Sequence, residues 1–420
     1  MKLIAQITTA FCALLVLMFA VSSSAGPAND LPRVFAADPQ TLVAAKSRLA
    51  AGDPALPPIL HQLLAAADKA LAMKPLSVMS KDQAPPSGDK HDYMSQAPYF
   101  WRDTNSPAGN YIRRDGQRNP ESEENSDAGH LGKTCNATHT LALAFYFTGD
   151  EKYAAKATEL IRVWFLNADT RMNPNLNFGQ GVPGEVTGRP EGLISARGLV
   201  DVVDAIGLLA GSRAWTADDQ QGMVTWVSRY YGWLTTGKIG LGEAAASNNH
   251  GTFYDVQATA LALFIGQTEA AQKILRTAET RRIASQIEPD GRMPRELRRT
   301  LSFNYSVFNL EALTELAGLG EKAGVDLWHY QTTDGRSLEK ATEFMAQFAD
   351  PKRAWPYQQI RPPNRSELDE LLLRVAPHYP QSPLDDALKF LNGEKFAGDP
   401  ARLYLNMAQL PAARAFKEKQ

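Results

Sequence analysis

The stretch EKYAAKATELIRVWFLN, residues 151–167, carries the pattern that decides the fold. Its larger apolar residues recur three and four positions apart, which is the spacing of one helical face. These residues are Tyr153, Ala157, Leu160, Ile161 and Trp164. Charged and polar residues fill several of the positions between them. The stretch therefore predicts an amphipathic helix that buries one face against the rest of the protein.

The same spacing recurs along most of the chain. In TADDQQGMVTWVSRYYGWL, residues 216–234, Thr216 can cap a helix with Asp219 three positions later, and apolar residues follow on one face. Further helical stretches lie near residues 40–50, 58–73, 138–148, 191–210, 252–265, 269–286, 306–318, 338–349, 366–375 and 383–391. No sustained alternation of apolar and polar residues marks a large sheet. The sequence therefore predicts an all-α protein.

The connections between these helices are mostly short, such as TGD at 148–150 and IGQT at 265–268. Short connections join antiparallel neighbours, so we expect helix hairpins stacked side by side or curled into an incomplete (α/α) toroid. Two segments interrupt the series. Residues 75–136 are polar and rich in proline, glycine and aromatics, and residues 171–190 are rich in asparagine, glycine and proline. Long loops in compact domains are often functional, and we expect 75–136 to lie over a cleft.

The amino terminus has the composition of a secretory signal. Residues 1–25 contain one lysine, an apolar core and small residues at Ser23 and Ala25, which predicts cleavage after Ala25. The stretch is too short to serve as a convincing membrane anchor, and no later uncharged apolar run is long enough. We therefore expect a single toroidal domain, residues 26–420, in a bacterial periplasm or outside the cell. It keeps one cysteine, Cys135, and so can form no internal disulfide.

The charge balance excludes some classes of partner. The chain has 44 lysines and arginines against 46 aspartates and glutamates, a net charge of −2. A nucleic-acid-binding protein would show a basic excess, so no nucleic-acid partner is expected. An anionic ligand remains compatible, because a few local arginines can hold one. No acidic or histidine cluster has metal-ligand spacing and no glycine-rich phosphate loop occurs, so no metal and no cofactor are expected.

Polar side chains precede two of the predicted helices. In SNNHGTFYD, Asn248, Asn249 and His250 stand before an apolar run, so they are either a helix cap or groups that handle a substrate. In RRTLSFNYSVFNLEAL, Arg299 and Tyr305 lie just before or at the start of a helix. Taken singly, these two could equally be a surface ion pair and a packed ring.

A third segment, residues 89–121, has no helical period but is rich in aromatics and arginines. They are Tyr93, Tyr99, Phe100, Trp101, Arg102, Tyr111, Arg113 and Arg114. Aromatic faces and guanidinium groups hold anionic sugars by stacking and by paired carboxylate contacts. The alternative is a loop that folds back on the core and satisfies its own hydrogen bonds.

Five features occur in the same order as in one known family: KHDYMSQAPYFW, YIRRDGQRNPE, TRMNPNLNFGQ, SNNHGTFYD and the Arg299–Tyr305 pair. They resemble the alginate-lyase superfamily, whose members are helical-toroid polysaccharide lyases acting on 1,4-linked uronans. The resemblance covers roughly residues 89–320 and is closest to the branch that cleaves mannuronan and glucuronan. It implies that the partner is an anionic uronan polysaccharide or oligosaccharide.

The resemblance also implies roles for individual residues. The family's catalytic Asn-His pair falls on Asn249 and His250, its arginine on Arg299 and its tyrosine on Tyr305. The candidate substrate-binding residues, taken from the same motifs, are Asn248, Tyr93, Tyr99, Trp101, Arg113, Arg114, Asn175, Asn177 and Gln180.

Lyases break a uronan by β-elimination. A base removes the proton at C5, beside the carboxylate, and the C4–oxygen bond then breaks to leave an unsaturated sugar. Amide donors from Asn249 would stabilise the charge that develops on the carboxylate. Tyr305 would be first base and then acid for mannuronate and glucuronate, whereas His250 would be the base for guluronate. We expect Arg299 to favour the phenolate and so to lower the pKa of Tyr305.

Other functions remain open at this point. A glycoside hydrolase on a similar toroid would need two carboxylic acids across a cleft, for example Asp92 or Asp103 with Glu185 or Glu191. A non-catalytic periplasmic protein could bind uronans with the same aromatics and arginines. Among lyases, a glucuronan lyase of the same mechanism is the alternative to an alginate or poly-mannuronate lyase.

Overall fold

The computed structural model describes residues 31–106, 109–124, 126–380, 383–391 and 396–408. The predicted signal, residues 1–25, lies outside this part of the chain. Within it, none of the helices has the length and apolar character needed to span a membrane. The described residues from Pro32 onward form one compact unit.

The described residues are mostly helical, which confirms the all-α prediction. The helices are α1 (Pro39–Ala50), α2 (Pro57–Leu71), α3 (Glu121–Glu124), α4 (Asp127–Thr148), α5 (Glu151–Ile161), α6 (Leu199–Leu208), α7 (Ala217–Thr236), α8 (Lys238–Ala244), α9 (Asn249–Phe264), α10 (Thr268–Ala278), α11 (Pro294–Leu297), α12 (Ser302–Ala323), α13 (Leu338–Ala346), α14 (Arg365–Val375) and α15 (Leu384–Leu388). Shorter 3₁₀ segments are Val78–Ser80, Pro190–Ala196, Ala376–His378 and Pro400–Leu403, and π-helical turns are Arg162–Leu166 and Glu279–Ala284.

In the described residues, the β-strands are short and lie in the two loop segments, with isolated bridges elsewhere. The strands are β1 (Met94–Gln96), β2 (Phe100–Arg102), β3 (Tyr111–Arg113) and β4 (Phe178–Gly181). The parallel pair β1–β4 joins the first loop segment to the second, and β2 and β3 form an antiparallel hairpin. The two loops therefore support each other instead of lying independently on the surface.

The decisive stretch forms α5 for the reasons that its pattern indicates. Gly149 ends α4 in a left-handed conformation, and the side chain of Asp150 then accepts a hydrogen bond from the backbone of Lys152 at the start of α5. All five apolar residues of the predicted face are buried. They anchor α5 against α4, its neighbour across the short turn.

Five helices follow one another around a central cleft. Helices α4, α6, α9, α12 and α14 each pack against the next, and all five contribute residues that line the cleft. A second layer packs behind them: α2 and α5 on α4, α7 on α9, α10 on α9 and α12, and α13 on α12 and α14. This arrangement is the expected incomplete (α/α) toroid, and it presents the inner ends of α9 and α12 to the cleft.

The main departure from the predicted elements is the start of α4. Residues 127–136 were expected in the long loop, but they form the first turns of this helix, which the Ser126 side chain caps. Helix α4 is packed on several sides, by α2, α5 and α6, so its buried residues do not fall on one face. Gly129 and Gly132 weaken the helical signal further. Elsewhere, the predicted cap at Thr216 forms a reciprocal capping box with Asp219.

Candidate active site

The cleft enclosed by the toroid has a volume of about 1620 Å³. Residues of the first loop, among them Gln96, Tyr99 and Phe100, line it together with the inner helices. The loop segment therefore lies along the cleft, as expected for residues 75–136. Among the described residues, no group of histidine, cysteine, aspartate or glutamate side chains is arranged to hold a metal ion.

His250 lies in the first turn of α9, and its side chain lines the cleft. Its Nδ1 lies 2.7 Å from Oε1 of Glu243, a residue of α8 that is 1% exposed. Burial raises the pKa of Glu243, while the hydrogen bond from His250 opposes that rise. A carboxylate can only accept, so this contact places the proton of a neutral imidazole on Nδ1. Nε2 is then the ring atom left to accept a proton or a hydrogen bond.

Asn249, the first residue of α9, is held by a second buried carboxylate. Its backbone N–H donates to Oε1 of Glu296 and its side-chain Nδ2 donates to Oε2, both at 2.8 Å. Because an ionised carboxylate offers only acceptors, the amide nitrogen must face Glu296. The amide nitrogen carries two hydrogens, so one remains for a ligand.

Asn248 occupies the N-cap position of α9, but its side chain makes no capping hydrogen bond. The interpretation of this asparagine as only a helix cap is therefore wrong. Its side chain lines the cleft instead, beside Asn249 and His250. The amino end of a helix also favours negative charge, because its first backbone N–H groups lack helical partners. The start of α9 is thus suited to hold an anion.

Tyr305 lies in the first turn of α12 and faces the same cleft. Its hydroxyl lies 2.6 Å from the hydroxyl of Tyr99 in the first loop. The guanidinium of Arg299 lies over its ring, 3.5 Å from the ring centroid, as a cation–π contact. Tyr99 therefore contacts the phenol oxygen of Tyr305, and Arg299 contacts its ring.

Arg299 is fixed by Asp115, a loop residue that sequence reasoning missed. The Nε and Nη2 atoms of Arg299 donate to the Asp115 carboxylate at 2.7 to 3.1 Å. Burial raises the pKa of Asp115, but the hydrogen bonds from Arg299 and from the backbone of Thr300 outweigh it and hold that pKa at about 2. Asp115 is therefore ionised and balances the charge of Arg299.

Arg299 lowers the pKa of Tyr305, as expected, but other effects outweigh it. Burial of the phenol raises its pKa, the charge of Arg299 lowers it by less, and the nearby Tyr99 and Asp115 add to the rise. The net pKa is well above that of an exposed tyrosine. Tyr305 is consequently a neutral phenol at neutral pH, able to donate its proton at once.

Gln180 and Arg189 form a further polar group in the cleft. Gln180 adopts a left-handed backbone (φ 48°), which is rare for a residue with a side chain and recurs at functional sites. Nη2 of Arg189 donates to its Oε1 at 3.3 Å, and the Arg189 guanidinium lies 4.8 Å from the ring centroid of Phe100. The buried Nε of Arg189 has no hydrogen-bond partner among the described residues. Arg189 was missed from the sequence, although it follows the TRMNPNLNFGQ motif closely.

The structure brings most of the predicted site residues together. Those that line the cleft are Asn248, Asn249, His250, Arg299, Tyr305, Tyr99, Arg113 and Gln180. In the described part of the chain, the remaining candidates Tyr93, Trp101, Arg114, Asn175 and Asn177 do not line it, and their assignment as substrate-binding residues stays a prediction.

The reasons for these exceptions differ. Tyr93 is 0% exposed and belongs to the hydrophobic core. Trp101 pairs with Ile112 across the β2–β3 hairpin, on the face opposite to the cleft-lining pair Phe100 and Arg113.

Arg114 stacks on that outward Trp101 ring, 5.2 Å from its centroid. Asn175 donates to Asp92, and Asn177 accepts from the indole N–H of Trp233, so both amides stabilise the second loop. Sequence spacing in an irregular segment does not reveal which side chains point inward.

Gly251 follows His250 because α9 lies very close to the end of α8. A Cβ atom at this position would clash with the carbonyl oxygen of Ala246 and with the guanidinium of Arg282. Arg282 is 0% exposed, donates to the carbonyls of Ala244 and Ala246, and pairs with Asp255, so it has no room to withdraw.

We therefore expect Gly251→Ala to lower the free energy of unfolding by about 1–3 kcal/mol, the usual cost of overpacking. Gly232→Ala in α7 is the matched control, because a Cβ there meets nothing within 4 Å. Removing a glycine from a helix interior should raise stability by up to about 1 kcal/mol. Denaturant unfolding of both variants tests this, and equal effects would contradict the close approach of α8 and α9.

Residues 77–355 match the family described as "Alginate lyase". A solved structure described as an alginate lyase from Bacteroides ovatus has 38% sequence identity and a TM-score of 0.84, covering 89% of this chain and 99% of that one. Alginate lyase A1-III from Sphingomonas species A1 has 16% identity and a TM-score of 0.52, covering 83% and 95%. A variant of A1-III with a bound tetrasaccharide has 18% identity and a TM-score of 0.54, covering 92% and 99%. At these identities, the two A1-III structures support the fold alone.

No functionally curated protein matches this chain significantly. The family match nevertheless spans well over half of the chain. The Bacteroides ovatus structure aligns with this chain over 99% of its own length. The chain therefore belongs to the alginate lyase family of polysaccharide lyases.

Proposed function

We propose that this protein cleaves 1,4-linked uronans of the alginate type, poly-mannuronate in particular, by β-elimination. The observation that carries the proposal is the meeting of Asn249, His250, Arg299 and Tyr305 in one cleft, although they come from separate segments of the chain. A carboxylate-binding helix end, a histidine and a tyrosine beside an arginine are the groups that this elimination requires. The predicted signal adds a periplasmic or secreted location to the proposal.

Acidic and basic side chains both line the cleft, and three of its arginines suit an anionic polymer as substrate. Arg113, Arg189 and Arg299 line the cleft, and the Nε of Arg189 makes no hydrogen bond among the described residues, with the Glu191 carboxylate 3.6 Å away. A buried donor that makes no hydrogen bond is costly, and a uronate carboxylate would supply that bond. The bound tetrasaccharide in a variant of A1-III, an enzyme of the same fold, supports an oligosaccharide as ligand.

The carboxylate of the reacting sugar would lie at the start of α9. The second amide hydrogen of Asn249, together with the Asn248 amide, would donate to it and stabilise the charge that develops when the C5 proton leaves. Glu296 prevents the Asn249 amide from turning away. These donors serve every uronate, because each has its carboxylate on C5.

The proton transfers depend on the sugar. For guluronate, Nε2 of His250 takes the C5 proton and Tyr305 gives its proton to the C4 oxygen. For mannuronate and glucuronate, Tyr305 takes the C5 proton and returns it to the oxygen. The phenol must then first release its own proton, for which the Tyr99 hydroxyl at 2.6 Å offers a path towards solvent.

We expect the purified protein to generate a conjugated C4–C5 double bond from poly-mannuronate. Ultraviolet absorbance of the unsaturated ends, together with product sizing, tests this on poly-mannuronate, poly-guluronate and glucuronan. New reducing ends without absorbance would instead indicate hydrolysis. Binding of uronan without any product would indicate a sugar-binding protein.

The alternatives have different support. Mannuronate and glucuronate present the C5 proton and C4 oxygen on the same side and differ only at C2, so a glucuronan lyase would use the same residues. The structure describes all four acids named for a hydrolase: Asp92, Asp103, Glu185 and Glu191. Only Glu191 lines the cleft, so these acids do not face each other across it. Asp92 accepts hydrogen bonds from Asn173 and Asn175 in the loop.

A further inference from the structure

We propose that Glu243 is a positioning residue that keeps His250 protonated on Nδ1. Nε2 of His250 can then act as the base for uronates whose C5 proton lies opposite the leaving C4 oxygen, as in guluronate. This inference rests on the proposed function and deepens it, because it extends the substrate class to guluronate. Neither motif reasoning nor the family match assigns Glu243 a role.

Among the described residues, the carboxylate of Glu243 makes one hydrogen bond, to His250. Its Oε1 lies 2.7 Å from Nδ1, and its side chain is 2% exposed against 20% for that of His250. Helix α8, which carries it, packs against α7, α9 and the 3₁₀ segment Pro190–Ala196. A carboxylate fixed in this way holds the ring in one orientation, with Nε2 away from the protein interior.

The surrounding charges suit a histidine that gains a proton during the reaction. The charges of Glu191 in the neighbouring 3₁₀ segment and of Arg189 just before it act on Glu243, and those of His250 and Arg299 act on Glu296. When Nε2 accepts a proton, the buried carboxylate stabilises the imidazolium that results. The same logic applies to the aspartate that supports the histidine of a serine protease.

The chemical step balances without another reactant. The C5–H bond breaks and its proton goes to Nε2 of His250, while its electron pair forms the C4–C5 double bond. The C4–oxygen bond breaks, and the leaving oxygen takes the phenol proton of Tyr305. His250 then returns its extra proton to solvent, and Tyr305 regains one from solvent.

Glu296 provides the contrast that makes the inference testable. It holds Asn249 rather than His250, through two hydrogen bonds of 2.8 Å, and is equally buried. Asn249 contacts the carboxylate of any uronate, whereas His250 is the base only for guluronate. Neutralising Glu296 should therefore impair all substrates alike, and neutralising Glu243 should impair guluronate selectively.

The experiment compares Glu243→Gln and Glu296→Gln with wild type, measuring kcat on poly-guluronate and poly-mannuronate and the melting temperature of each variant. We expect Glu243→Gln to reduce kcat on poly-guluronate by about a hundredfold, at least about tenfold more than on poly-mannuronate. Glu296→Gln should reduce both by a similar factor. In the double variant Glu243→Gln/His250→Ala, activity should be no lower than in His250→Ala alone, because Glu243 acts through His250.

A second readout does not depend on turnover. The ¹⁵N chemical shifts of the His250 imidazole, assigned with His250→Ala, should indicate the Nδ1–H tautomer in wild type. An Nε2–H tautomer would overturn the inference whatever the activity. Additive losses of kcat in the double variant would also overturn it, as would equal losses of kcat on both polymers in Glu243→Gln. A wild type that cleaves poly-mannuronate but not poly-guluronate would overturn the inference and leave the lyase proposal intact. Absence of unsaturated product from every uronan would overturn the proposed function instead.

Discussion

Tyr305→Phe should reduce turnover of poly-mannuronate at least about a hundredfold, because it removes the only oxygen proposed to carry protons to and from the sugar. The ring, its packing and its contact with Arg299 are retained. The variant loses the hydrogen bond to Tyr99, which is worth only about 1 kcal/mol of stability. We therefore expect a folded protein that still binds uronan.

Tyr379→Phe is the matched control for this variant. Tyr379 is buried and donates to the carbonyl oxygen of Trp328 at 2.8 Å, and it does not line the cleft. The Tyr379→Phe variant loses one hydroxyl and one hydrogen bond, as Tyr305→Phe does, but we expect it to keep near-normal turnover. Unsaturated-product absorbance, uronan binding and a melting curve are measured on both. Similar turnover by the two variants would exclude Tyr305 as the proton carrier.

Asn249→Ala should also reduce turnover about a hundredfold, equivalent to about 3 kcal/mol of transition-state stabilisation. It removes the amide that would donate to the reacting carboxylate. It also leaves one oxygen of the buried Glu296 without its partner, which should cost about 1–3 kcal/mol of folding stability. Activity must therefore be expressed per folded molecule.

Asn309→Ala separates the two effects of losing a buried asparagine. Asn309 is 0% exposed, bonds to Gln286 and Thr252, and does not line the cleft. We expect this control to lose stability but to keep normal turnover per folded molecule. If the loss of turnover in Asn249→Ala only follows its loss of folding, Asn249 is an anchor of α9 and not a carboxylate donor.

The fold could be predicted from the sequence wherever a helix has one buried face. Helix α5 and the capping box of α7 agree with their patterns, because burial on one side imposes the spacing of apolar residues. The start of α4 could not be predicted in this way. That helix is packed on several sides, so its apolar residues do not follow a single face.

The residues of the candidate site also differ in whether the sequence reveals them. His250, Asn249 and Tyr305 stand at helix starts within motifs, where unusual residue types are visible. Their partners Glu243, Glu296 and Asp115 are single acidic residues, and only folding brings them to the site. The pairing of Asp115 with Arg299 joins residues 184 positions apart.

The net pKa of Tyr305 was beyond sequence reasoning for the same reason. Its direction depends on how deeply the phenol is buried and on whether a carboxylate already balances Arg299. Neither can be read from the spacing of Arg299 and Tyr305. Because the raised pKa keeps Tyr305 a neutral phenol, the proposed mechanism needs a proton path through Tyr99 for mannuronate but not for guluronate.

The most direct test of the central claim is the rate of double-bond formation from poly-mannuronate, measured by ultraviolet absorbance with wild type and Tyr305→Phe at equal concentrations of folded protein. The account predicts a steady rise for wild type and a rate at least about a hundredfold lower for a Tyr305→Phe variant that still binds the polymer. An equal rise for both would contradict it, and so would shortening of the polymer by wild type with no rise in absorbance.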